Sequence, residues 1–126
     1  MPGHGLKILV VEDNQSVGGT LASALEQEGC TAILTHRCEQ VAALAQRARP
    51  HLITLDLAHA ELRSCDVIDQ LRSDPSTREI PIIALSARAG NLPPPRESNI
   101  ARVFGEPFYP AEVVLAVLET LGRGTN

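Results

Sequence analysis

The sequence predicts an α/β fold, a doubly wound five-stranded parallel sheet with helices on both faces. Three observations predict it. Short apolar runs rich in Val, Leu and Ile recur along the 126 residues. Between them lie stretches whose apolar residues fall three and four apart, the repeat of an amphipathic helix. Neither an internal repeat nor a linker long enough to divide the chain interrupts the alternation. Strands that alternate with helices pair in parallel, and the helices cover both faces of the sheet. A single domain over 1–126 is expected from the length. By area scaling, a fold of this size buries roughly two thirds of the surface its unfolded chain exposes.

The elements follow in order. Leu6 to Val11 (LKILVV) is a first buried strand. Ser16 to Glu28 places Val17, Leu21, Ala24 and Leu25 on one helix face, with Gly29 suited to the C-terminal cap. Gly18 and Gly19 each cost that helix about 1 kcal/mol relative to Ala, so its first turn is expected to be weak. Thr31 to Thr35 is a second strand, and Glu39 to Ala48 a helix with Val41, Leu44, Ala45 and Ala48 inward, ended by Pro50. Leu52 to Leu55 is a third strand and delivers Asp56 at its end. Cys65 to Arg72 is a helix, Asp74-Pro75-Ser76 a turn, and Ile82 to Leu85 a fourth strand with Ser86 at its end. The Gly90 to Pro95 stretch, with three consecutive prolines, blocks a helix interior. A fourth helix can begin only after Pro95, and Arg96 to Ala101 allows it barely two turns. Val103-Phe104 is a short fifth strand. Pro110 opens a last helix that runs to about Leu121, with Val114, Val117, Leu118 and Leu121 inward.

Composition narrows the function. Aromatic residues are 2% of the chain, so the core falls to aliphatic side chains. The net charge of −4 argues against a nucleic-acid-binding surface, which is usually basic. No apolar run approaches the length of a membrane-spanning helix, and the first residues lack the pattern of a secretory leader. Cys30, Cys38 and Cys65 form no CxxC pair; they are expected to be small buried hydrophobes in a reducing, cytoplasmic setting. The basic residues are ten Arg and one Lys, Lys7.

In a parallel sheet, sites form beyond the carboxyl ends of the strands. Those ends carry Glu12-Asp13 after strand one, Asp56 after strand three, Ser86 after strand four and Gly105-Glu106-Pro107-Phe108 after strand five. If strands one and three are neighbours, three carboxylates converge and repel. A divalent cation relieves that repulsion, and Mg²⁺ takes hard oxygen ligands, water and phosphate. Phosphoryl chemistry suits this constellation.

On these residues the chain resembles the receiver domain of two-component response regulators. LKILVVEDN with its acidic pair, LITLDL with the aspartate, IIALSA with the hydroxyl, and EPF followed by a helix carry the resemblance over about residues 6–121. It implies a flavodoxin-like strand order, 2-1-3-4-5. Asp56 would be the phosphoacceptor, taking a phosphoryl group from a histidine kinase or phosphotransfer protein. Asp13 and Asp56 would ligate Mg²⁺, with Glu12 acting through a water and the backbone carbonyl of Ala58 as a further ligand. Ser86 would hydrogen-bond a phosphoryl oxygen, and the Glu106–Pro107 peptide would be cis. A downstream effector domain or protein would read the state. No direct nucleic-acid or membrane binding and no separate enzymatic activity are expected of the domain.

The chain also departs from the family. Glu106 stands where the family usually has a lysine that neutralises the phosphoryl group. Lys7 cannot replace it: five residues before Glu12, it sits about 16 Å away at about 3.3 Å per residue. Arg88, two residues after Ser86, is the cation best placed to contact the phosphoryl group instead. Val103 matches an aromatic that swings inward on activation in the family. His59-Ala60 and Arg63-Ser64 replace the usual Met-Pro and Asp-Gly or Ser-Gly pairs. These departures support a competing expectation, a pseudo-receiver that binds partners without phosphorylation. A phosphatase using a strand-end aspartate is a weaker third, because such enzymes need a second acid where this chain has Ala58.

Overall fold

In the structure, a computed structural model, residues 2–56, 67–85, 100–105 and 107–123 are described. Five strands form one sheet: β1 (Lys7–Val11), β2 (Thr31–Thr35), β3 (Leu52–Asp56), β4 (Ile82–Leu85) and β5 (Ile100–Phe104). The order is β2-β1-β3-β4-β5, and every pairing is parallel. This is the order that the resemblance implied.

Alternation along each strand decides what each face buries. Ile8, Val10, Leu52, Ile83 and Leu85 point to one face. There they meet Leu21 and Leu25 of α1 (Gln15–Gln27) and Val113, Ala116 and Val117 of the last helix, α4 (Pro110–Thr120). Leu9, Val11, Ile53, Leu55, Ile82 and Ala84 point to the other. They meet Val41 and Ala45 of α2 (Val41–Ala48) and Val67 and Leu71 of α3 (Val67–Ser73). β1, β3 and β4 are buried on both faces from Ile8 onward, which is why they read as continuous apolar runs.

The ends of the helices follow from local chemistry. Asn14 caps α1, its Oδ1 accepting from the Val17 N–H at 3.1 Å. Gly29 takes a left-handed φ of 96° just past the helix, as its cap position requires. A 3₁₀ turn, Cys38–Gln40, precedes α2. That helix ends at Arg49 with φ 49°, a left-handed conformation held by a residue other than glycine.

The fifth strand corrects the sequence reading. Ile100 and Ala101, expected to close a short helix, belong to β5, which starts three residues earlier than expected. Sheet pairing outweighs local preference here, because Ile100 lies opposite Ile82 and is buried in the core. The remainder of that expected helix, residues 96–99, lies outside the described residues. Cys30 is a buried free thiol, as expected. Cys38 is buried too but disulfide-bonded, which corrects the expectation of a reduced thiol acting only as a small hydrophobe. Cys65 lies outside the described residues. No helix among the described residues is long and apolar enough to cross a membrane.

Lys7 sits at the amino end of the sheet and is engaged there. Its Nζ donates to the Ala48 carbonyl at 2.7 Å, satisfying the C-terminal end of α2.

Candidate functional site

The site begins with register. Val11 lies opposite Leu55 on neighbouring parallel strands, so Glu12 and Asp56 leave β1 and β3 at the same level. Strands in a sheet lie about 4.8 Å apart. Both residues also share a parity with Ile8, Val10 and Leu52, and so they face the α1 and α4 side. Each is almost wholly buried, Glu12 at 1% and Asp56 at 3% exposure.

Together they line one cavity of about 450 Å³ with Asn14, Ser16, Val17, Thr20, Pro107, Phe108 and Pro110. The start of α1 forms one wall and the entry to α4 the other. The lining thus joins two buried acids to exposed polar residues of the α1 entry and to the apolar side chains of Val17, Pro107, Phe108 and Pro110. Two buried carboxylates at this spacing are hard-oxygen donors and fit a Mg²⁺ ion.

Glu12 is held at several points. Its N–H donates to the Thr35 carbonyl at 3.1 Å. Its Oε2 accepts from the Asn14 N–H at 3.0 Å. Its carbonyl lies 2.9 Å from Nδ1 of His36. Asp13, half-buried, follows directly on the turn into α1. The structure therefore brings Glu12 and Asp56 to one cavity and puts Asp13 beside them. Among the described residues no three acidic, His or Cys side chains converge into a preformed metal cage. Ala58, Ser86, Arg88 and Glu106, with the Glu106–Pro107 peptide and the pairs at 59–60 and 63–64, lie outside the described residues. Val103 is 40% exposed on β5.

Sequence reasoning passed over two residues near the site. His36 left no signal, because its bond to Glu12 spans 24 positions. Gly18 was read only as a weak point of α1, yet it is buried where the helix crosses the site. A Cβ there would lie 2.9 Å from Leu34 Cδ1 and 3.2 Å from Glu12 Cβ. The glycine lets the helix approach the acid, a close contact of the kind that glycine permits.

The comparisons with known proteins agree with this geometry. The family model of the response regulator receiver domain matches residues 8–93. The chain belongs to the response regulator receiver family. It is 30% identical to the phosphate regulon transcriptional regulatory protein PhoB of Pseudomonas aeruginosa, over 97% of this chain and 56% of that protein. It is 32% identical to the polar-differentiation response regulator DivK of Brucella anthropi, over 65% of this chain and 67% of that protein. The chain spans about half to two thirds of the length of such relatives. Among solved structures, the receiver domain of a sensor histidine kinase from Pseudomonas aeruginosa PAO1 superposes with a TM-score of 0.75 at 28% identity. The match covers 92% of this chain and 96% of that one, and that structure has a magnesium ion coordinated in its active site cleft. A putative response regulator from Chloroflexus aurantiacus shares the fold, with a TM-score of 0.78 at 22% identity over 93% of this chain and 98% of that one.

Proposed function

We propose that this receiver domain is a phosphoacceptor in a two-component phosphorelay. The observation that carries the reading is the placement of Asp56 and Glu12, level at the ends of adjacent strands and sharing one cavity. Asp56 is the acceptor. A carboxylate oxygen attacks the phosphorus of a phosphohistidine on a histidine kinase or phosphotransfer protein. The P–N bond breaks, the imidazole nitrogen takes a proton, and an aspartyl phosphate remains.

Asp13 and Asp56, with Glu12 and the carbonyl of Ala58, would hold Mg²⁺. When bound, the ion would supply positive charge that offsets an incoming phosphoryl group against clustered acids. Ser86 donates to a phosphoryl oxygen. Glu106 supplies no cation at the usual lysine position, and Arg88 is the residue we assign to that contact. The domain occupies the whole chain, with its core over about 6–121, and we read no other enzymatic activity in it. The reading places it in the cytoplasm, facing a kinase and a downstream effector.

The test is incubation with a small-molecule phosphodonor and Mg²⁺, read by intact mass. The expected result is a gain of one phosphoryl group that disappears with EDTA and in Asp56→Asn. A folded protein that gains none, while Asp56→Asn keeps its biological output, would establish the pseudo-receiver instead.

A further inference from the structure

β1 and β2 pair in parallel, with Val11 opposite Thr35. In a regular parallel ladder the next residue of β1 makes two bonds to β2: its N–H to the carbonyl of residue 35, and its carbonyl to the N–H of residue 37. The first bond is present, from the Glu12 N–H to the Thr35 carbonyl. The donor for the second has turned away. The Arg37 N–H donates to Thr35 Oγ1 at 3.3 Å, because the chain leaves the sheet there and enters the 3₁₀ turn at Cys38. The Glu12 carbonyl meets Nδ1 of His36 at 2.9 Å instead. A carbonyl can only accept, so Nδ1 carries the hydrogen and the ring donates.

We propose that His36 is a positioning residue for the Glu12–Asp13 pair, its imidazole replacing the ladder donor that β2 withdraws. The Glu12 carbonyl and the Asp13 N–H belong to one planar peptide. Fixing the oxygen fixes the plane in which Asp13 leaves the strand. β2 is then free to turn towards α2 while β1 runs one residue further and presents Glu12 to the cavity. The Asn14 N–H on Glu12 Oε2 and the close approach of Gly18 support the same arrangement from the α1 side. The inference rests on the reading of Glu12 and Asp13 as the metal-holding pair.

The test uses the full chain and two variants. His36→Leu keeps bulk and removes the donor. His36→Asn keeps an amide N–H at the position of Nδ1. Mg²⁺ affinity is measured by amide NMR titration, and exchange of the Glu12 amide is measured in metal-free protein. Loss of a group that orients a metal ligand is expected to weaken Mg²⁺ about tenfold in His36→Leu. Its Glu12 amide should exchange about fivefold faster, the equivalent of one ordinary hydrogen bond. His36→Asn should stay close to the parent in both. A His36→Leu protein that matches the parent in both, or a His36→Asn protein as impaired as His36→Leu, overturns the proposal. If the parent binds no Mg²⁺, the phosphoacceptor reading has failed, and the exchange measurement alone decides the role of His36. If His36→Leu does not fold, His36→Gln takes its place. Its amide sits one carbon too far out and should behave as a lost donor.

Discussion

The two ends of the sheet treat charge in opposite ways. At the amino end, cations meet backbone oxygen. Lys7 Nζ donates to the Ala48 carbonyl, and Arg123 donates to the Pro2 and His4 carbonyls at 3.3 and 3.0 Å. At the carboxyl end, Glu12 and Asp56 are buried and line one cavity. One end is closed by cations paired with backbone oxygen, and the other concentrates acid. A fold gains stability from the first arrangement and a binding site from the second. The chain's single lysine is committed to the stabilising end.

That contrast can be broken most sharply at Gly3, beside β2 at the amino end. A Cβ there would lie 2.5 Å from Cys30 Sγ and 2.7 Å from the Glu28 carbonyl, the oxygen that the Gly3 N–H itself bonds. Gly3→Ala is expected to cost about 1–3 kcal/mol in urea unfolding, the range for overpacking. Mg²⁺ binding by the folded fraction should be unchanged.

Lys7→Met comes next. It keeps the aliphatic stem and removes a charged donor to a helix end. A loss of about 1 kcal/mol in chemical denaturation is expected, again with Mg²⁺ affinity as in the parent. A change in that affinity would show that the two ends are coupled.

Within α1, two adjacent glycines sharpen the comparison. Gly19 has open space where a Cβ would go, so Gly19→Ala should stabilise by up to about 1 kcal/mol in thermal melts. Gly18→Ala gains the same helix preference but presses on Leu34 and Glu12. It should stabilise less, and it alone of the two should alter Mg²⁺ affinity.

The smallest effect is one of pH. Burial raises the pKa of the Cys30 thiol above its usual value, and the nearby Glu28 adds to the rise while Arg123 opposes it. The unfolded chain therefore ionises first. Stability from this group is intact below the ordinary thiol pKa and declines as pH rises from there towards the folded value. Cys30→Ala should flatten the alkaline limb of a plot of melting temperature against pH.

Much of the fold and part of the site could be read along the chain. Strand-end acids were visible because a buried parallel strand is continuously apolar and stops abruptly at Glu12 and after Leu55. Gly29 as a helix stop was similarly local, whereas the Asn14 cap emerged only from the structure. Val113, buried against the sheet beside the expected Val114 and Val117, was missed because α4 is apolar over more of its surface than a simple stripe. Ile100 was misplaced because two apolar residues, Ile100-Ala101, between Asn99 and Arg102 favour neither helix nor strand until Ile82 is opposite.

By itself, the sequence determined the α/β alternation, the residues at the strand ends and the exclusion of Lys7 from the site. These follow from periodicity and chain length, which act over a few residues. Tertiary structure decided which strands are neighbours, and so that Glu12 and Asp56 share a cavity. It also decided that Lys7 closes α2, that Gly18 admits α1 to the acid, and that His36 completes the ladder at Glu12. Those contacts join residues far apart in the chain, and only the packed sheet sets the distance between them.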